Sequence, residues 1–314
     1  MPFVDTSHNQ KSERRPCRAD FVSEVISFDE ETHVAHFRMK PDPRRYDEIE
    51  RDGETLYIDK YLKTAFTLDT MLGGFEPGLP SYALSSSIGS TTEYAEERLS
   101  ALEHEIDGGE YVPPKQKAIA HYTLAPGDIE KDLGFLSVDI CGATALRKKN
   151  ANAFDEAYSL FIRELGTVVG QFNGSILKTK GDGFIAYIDY PSFTNLCDAV
   201  IDMGLSILFV LHKSINPTLA KAGFPTFDIR IGADYGTALI RQMNIPTTGF
   251  SSVEVASDAL NRAVKIEEVC ETNEFRIGRS LYELIHVQWL ERATEVEFDG
   301  ASVGLPSYQT YRMR

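Results

Sequence analysis

The chain has 314 residues, 42% of them hydrophobic and 25% charged, the make-up of a globular protein with one large core or two modest ones. Its 32 basic and 47 acidic residues leave a net charge of −15. That excludes general affinity for nucleic acid or anionic membrane, since no basic field meets the phosphates; a polyanionic substrate would need metal ions and a few placed Lys and Arg side chains. The four cysteines (Cys17, Cys141, Cys197, Cys270) have no CxxC spacing and the seven histidines form no HExxH pair, so zinc is not expected and free thiols in a reducing cytosol are. No segment reads as long and apolar enough to span a bilayer. The best, LSILFVL at 205–211, is short and flanked by Asp202, His212 and Lys213. The N-terminus carries no signal-type apolar run, and the chain reads as cytoplasmic.

Residues 1–18 are polar and basic and read as disordered. Residues 19–40 hold two short apolar runs around an acidic FDEET turn, which fits a hairpin or a strand-turn-helix. Residues 41–53, beginning PDPRRYDE, read as a charged loop. Apolar residues at Tyr57, Leu62, Ala65, Phe66, Leu68 and Leu72 recur with helical spacing until GGFEPGLP stops them. STTEYAEERLSALEHEID at 90–107 is a helix with a Thr cap. GGEYVPPK at 108–115 is the clearest linker. It separates an N-terminal region (19–115), read as a structural extension rather than a ligand sensor, from a second domain at 116–314 with its core at 134–270.

The second domain alternates strands and helices. GFLSVDI is a buried strand, and 150–172 is a helix with apolar positions at Ala153, Phe154, Ala157, Leu160, Phe161, Leu165 and Val168. SILKTKGDGFIAYIDY is a hairpin turning at Gly181-Asp182-Gly183. A long helix opening with Pro191 follows, then FDIRIGADYGTALIRQM as a second strand pair, then a helix at SDALNRAVKIEEVC with a Ser or Asp cap, and a final strand near 306–313. This order gives an α+β sandwich of a mixed sheet with helices, preceded by the smaller N-terminal region.

Two carboxylates stand out. Asp139 ends an otherwise apolar strand, and Asp182 sits in the glycine turn of the hairpin. A helix cap or a hairpin residue would account for each alone, but an acid closing an apolar strand fits neither well. Side by side they make an oxygen-ligand site for hard divalent cations, here read as two ions over a nucleoside triphosphate.

Four motifs then coincide in order. FLSVDICGATAL resembles the first metal motif of class III nucleotidyl cyclases, KTKGDGF the second, FDIRIGADYG the following strand, and DALNRAVKIEEV the helix that carries the transition-state Asn. The resemblance covers about 134–270 and implies a ferredoxin-like, palm-like sandwich. It makes Asp139 and Asp182 the metal carboxylates, with the Ile140 carbonyl as a further ligand, for two Mn²⁺ or Mg²⁺ ions, Mn²⁺ favoured. Gly142, Ala143 and Thr144 would turn into a helix whose N–H groups cradle phosphate; the family usually has an aromatic where Ala143 stands. Arg230 would reach the phosphates and Asn261 would orient the ribose. Lys265 stands where the family has Arg, keeping the charge and losing the bidentate fork. Lys178, four residues before Asp182, takes the base-reading place, and counting back seven residues from Asn261 gives Glu254 as its companion.

In that family the metal residues come from one protomer and the base-reading pair and Asn from the other. The resemblance therefore implies a homodimer with sites at the interface. Hydrogen-bond counting leaves the base open among uracil, cytosine and the purines. The small stand-alone layout, with replaced base-reading and Arg positions, is most similar to the bacterial antiphage pyrimidine cyclases of Pycsar systems, which serve a separate cyclic-nucleotide-responsive effector; of their products, cyclic UMP from UTP is favoured. Adenylate cyclase is the closest competitor. A silent pseudo-cyclase would usually lose a metal Asp, and a diguanylate cyclase would need GG[DE]EF where this chain has KGDGF.

Overall fold

Strand β6 (Ile129–Ile140) is the spine of the fold, with β8 (Gly183–Ile188) antiparallel on one side and β9 (Ile229–Ile245) antiparallel on the other. Its run from Leu133 to Val138 is buried without alternation because helices cover both faces. The computed structural model describes residues 18–32, 34–72, 88–127, 129–190 and 193–314. The expected disorder at 1–18 lies outside them except for Arg18, whose guanidinium donates to Asp20 and Asp198. The GGFEPGLP stop, Cys17 and Pro191 also lie outside them, and Cys141, Cys197 and Cys270 are free thiols.

Helix α4 (Ala151–Gln171) crosses from β6 to β7 (Gly174–Lys180), which turns directly into β8, and α5 (Phe193–Val210) crosses from β8 to β9. The order β9-β6-β8-β7 is the split βαβ of a ferredoxin-like sandwich, as expected. β11 (Glu274–Gly278) extends it parallel to β9, followed by β13 (Thr310–Met313) and β12 (Ala293–Val296), so the sheet is mixed. α4 and α5 cover one face over Leu136, Val138, Ile140, Phe184 and Ala186. α7 (Asp258–Glu268) covers the other over Leu133, Phe135, Ile185 and Tyr187.

Several expectations are corrected. FDIRIGADYGTALIRQM is not a strand pair but the greater part of the single 17-residue β9. Gly236-Thr237 looks like a turn, yet β6 pairs straight through it, Leu133 opposite Gly236 and Asp132 opposite Thr237. The partner of its outer half is β10 (Phe250–Ala256). Residues 19–40 take the hairpin alternative as β1 (Phe21–Asp29) and β2 (Val34–Pro41). Within 41–53, expected to be a loop, lies β3 (Tyr46–Arg51). The helical pattern from Tyr57 to Leu72 is instead β4 (Glu54–Asp59), β5 (Ala65–Thr67) and a helical turn, α1 (Leu68–Leu72). Asp59 breaks it: one carboxylate oxygen accepts from the N–H groups of Tyr61 and Leu62, and Lys63 closes the turn at a φ of 57°.

Helix α2 (Thr91–Ile106) forms as expected, but its cap is Ser90, whose hydroxyl accepts from the Glu93 N–H. Its Tyr94, Ala95 and Leu102 enter the same core as α4 and α5, and fully buried Arg98 forks onto Glu164 of α4 at 2.8 and 3.2 Å. Buried Arg45 lies between Asp20 and Asp59, and Asp20 accepts from the Val287 N–H. The region before the linker is thus bound to the sandwich by buried charge as well as by apolar contact.

The expectation that no segment could span a bilayer also needs correcting. Asn195–Lys221 runs through α5, a π turn (Leu211–Ile215) and α6 (Asn216–Lys221) as 27 helical residues, with a mean hydropathy of 1.5 over its most apolar 18-residue stretch, long and apolar enough to cross one. Its apolar side is taken up by the core through Leu196, Val200, Ile207, Leu211, Ile215 and Leu219. On this helix, burial first and then the charge of Asp198 push the Asp202 carboxyl from the usual 3.8 up to about 6. A raised acid pKa means the folded state holds its proton longer, so stability falls as pH rises from about 4 to about 6 and stays lower above. Two units correspond to roughly 3 kcal/mol, which the partial exposure of Asp202 reduces to about 1. Asp202→Asn should therefore stabilise the protein by about 1 kcal/mol at pH 7.5 in urea unfolding, with little gain at pH 4. An equal gain at both values would rule out ionisation as its source.

Candidate active site

Asp139 is the last outward position of β6 on the α7 face, opposite Gly183 of β8 and Arg230 of β9. A Cβ on Gly183 would lie 2.0 Å from the Val138 oxygen and 2.9 Å from the Asp139 Cα. Only glycine lets β8 start this close to β6, and the closeness brings Asp182, in the preceding turn, against Asp139. Burial and then the charge of Asp139 raise the Asp182 carboxyl above its usual range, the mark of two acids competing to stay ionised. Arg230 answers Asp139, with Nη2 donating to Oδ2 at 2.6 Å.

The second shaping contact lies beneath α7. A Cβ on Gly232 would sit 2.3 Å from both the Ala263 oxygen and the Glu267 nitrogen, so the helix rests directly on β9. The approach buries Glu267, which is 1% exposed. Its carboxylate accepts from Lys180 Nζ at 2.5 Å and Ser137 Oγ at 3.3 Å and lies 3.5 Å from Arg230 Nη2. Burial pushes its carboxyl up while Lys180 pulls it down. Glu267 and Lys180 were not singled out in the sequence. The signal was there: Glu267 falls on the buried stripe with Ala259, Ala263 and Ile266, where a carboxylate needs a partner.

A groove of about 610 Å³ lies between β7 and α7, and Lys178, Asn261 and Lys265 all line it. Lys178 and Asn261 are exposed, and Lys265 pairs with Glu268 at 2.7 Å. Glu254 does not line this groove; it faces Arg241 across the β9–β10 hairpin and accepts from its Nε at 2.7 Å. Gly142 begins α3 (Ala143–Lys149) as an exposed cap and shares a shallow cleft with Arg230, while Ala143 is buried and Thr144 exposed. Ile140 is buried opposite Ile229. The chain thus gathers Asp139, Asp182 and Arg230 in one place and Lys178, Asn261 and Lys265 in another. Lys180, Glu267 and Arg230 link the two.

Asp139 and Asp182 present only oxygen donors, and no cluster of three or more His, Cys, Asp or Glu stands ready for a metal among the described residues. Two carboxylates with positions left to peptide oxygen and water are a donor set that fits Mg²⁺ or Mn²⁺, and the raised Asp182 carboxyl marks negative charge that a cation would relieve.

No family profile and no curated protein matches the chain. Solved structures do. The guanylyl cyclase Cya2 is 15% identical over 60% of this chain and 93% of its own, with a TM-score of 0.52. The adenylyl cyclase CyaB from P. aeruginosa is 19% identical over 59% and 95%, at 0.51. The guanylate cyclase domain of RhGC from Catenaria anguillulae, solved in complex with GTP, is 15% identical over 59% and 98%, at 0.50. The fold is that of class III nucleotidyl cyclase domains.

Glu267→Gln tests the linking carboxylate. It leaves Lys180 and Arg230 without their shared anion, and the expected cost is about 2–4 kcal/mol in denaturant unfolding. An unchanged midpoint would show that the two cations do not depend on it.

Proposed function

We propose that the protein is a nucleotidyl cyclase, in which the ribose 3′-oxygen of a nucleoside triphosphate attacks its own α-phosphorus to give the 3′,5′-cyclic monophosphate and pyrophosphate. What carries this reading is the adjacency of Asp139 and Asp182 on a cyclase fold, next to a groove that holds Lys178 and Asn261. Asp139, Asp182 and the Ile140 carbonyl would hold two divalent ions, which supply a lowered 3′-hydroxyl pKa and charge neutralisation on the triphosphate. Arg230 and Lys265 place positive charge for the phosphates, with the first-turn N–H groups after Gly142 beside them. Asn261 orients the ribose, and Lys178 donates to the base.

The substrate we favour is UTP, supported by the likeness of the motifs and layout to pyrimidine cyclases of antiphage systems and by the donor that Lys178 offers to uracil O4. On this reading the enzyme is a cytoplasmic homodimer that signals to a separate effector. ATP or GTP is the second reading, favoured by the adenylyl and guanylyl cyclases among the structural neighbours.

Incubating the purified protein with each of the four NTPs and Mn²⁺ should give cyclic UMP as the main product. Asp139→Asn and Asp182→Asn should each lower the rate at least about a hundredfold. Cyclic AMP or cyclic GMP as the main product would overturn the base, and no cyclic product from any NTP would overturn the cyclase. Light scattering on the active species should show a dimer; an active monomer would sink the shared site.

A further inference from the structure

We propose that Asp258 is the carboxylate that reads the base beside Lys178, in the place that sequence spacing gives to Glu254. The base as ligand rests on the cyclase reading; the choice of carboxylate rests on the groove. Most polar side chains lining the groove are already engaged. Lys180 is held by Glu267, Arg262 by Asp234, Lys265 and Glu268 by each other, and Ser302 by the Asp299 carbonyl. Among the polar side chains lining the groove, three have no hydrogen-bond or ion-pair partner among the described residues: those of Lys178, Asp258 and Asn261. They are one donor, one acceptor and one amide that does both.

The carboxylate of Asp258 is free for a reason. Asp258 is the first residue of α7, and the capping work there is done by Ser257, whose hydroxyl accepts from the Ala259 N–H and donates to the Thr237 carbonyl. The positive end of the helix favours the Asp258 charge without using its oxygens. Glu254 is differently placed, spent on Arg241 and outside the groove lining. Between the free groups the groove wall is apolar, from Ile185, Leu260 and Val264. Apolar walls with a few convergent polar groups suit a flat heterocycle. An edge that offers one acceptor next to one N–H, as every nucleobase does, would meet Lys178 and Asp258 together.

The test compares Asp258→Asn and Glu254→Gln in the full chain. Binding of the four 3′-deoxynucleoside triphosphates, which lack the attacking hydroxyl, is measured by calorimetry with Mn²⁺, and kcat/KM is measured for the four NTPs. In Asp258→Asn the affinity and kcat/KM for the preferred nucleotide should fall about 10- to 100-fold, the other nucleotides should lose less, and circular dichroism should be unchanged. A fall of that kind in Glu254→Gln, with Asp258→Asn as selective as the wild type, would overturn the assignment. Wild-type protein that binds none of the four would overturn the cyclase reading itself, and the two failures are thereby told apart.

Discussion

The closeness of β8 to β6 at Gly183 is the constraint from which the site follows. The missing side chain lets the hairpin turn lie against the end of the neighbouring strand, and two acids meet there that the sequence places more than forty residues apart. Any larger residue at 183 would push the hairpin off Asp139 and separate them. Gly232 acts in the same way one layer over, letting α7 down onto β9 so that Glu267 is buried between Lys180 and Arg230. Both contacts replace side-chain packing with direct backbone approach, and both place a charged group where it cannot move far.

The electrostatics follow from that. Asp139, Asp182 and Glu267 are three acids in a small region, and the chain answers them with Arg230 and Lys180. Asp139 and Glu267 are matched by these cations. Asp182 is left with a raised carboxyl and an acid neighbour, which is why the region suits cations of high charge density.

Much of the sandwich was legible in the sequence because its strands and helices carry undiluted patterns: the buried run of β6, the amphipathic α4, and the glycine turn of the hairpin. The N-terminal region was not, because Asp59 uses its side chain to bend a segment whose apolar spacing is helical. β9 reads in sequence as a strand pair because its length and the glycine in its middle suggest one; only the pairing with β6, far away in sequence, keeps it straight. The adjacency of Asp139 and Asp182 could be read from motif and spacing. Glu267 shows in the sequence only as a carboxylate on the apolar stripe of α7; its partners Lys180 and Arg230 depend on the depth to which Gly232 lets that helix sink. The engagement of Glu254 could not be read either, since it depends on Arg241 across a hairpin.

β6 is covered on both sides, with Leu136 and Val138 turned to α4 and α5 and Leu133 and Phe135 to α7. A side chain on this strand faces one helix layer or the other according to odd or even position. Asp139 reaches the α7 side because of its phase as much as its identity. Loss or gain of one residue between Leu133 and Asp139 would send the carboxylate toward the apolar layer and bring a valine or isoleucine into its place. A point substitution along β6 alters one face of the strand at one position. A single-codon insertion or deletion exchanges the two faces at once, and the packing of the core and the placement of Asp139 would fail together.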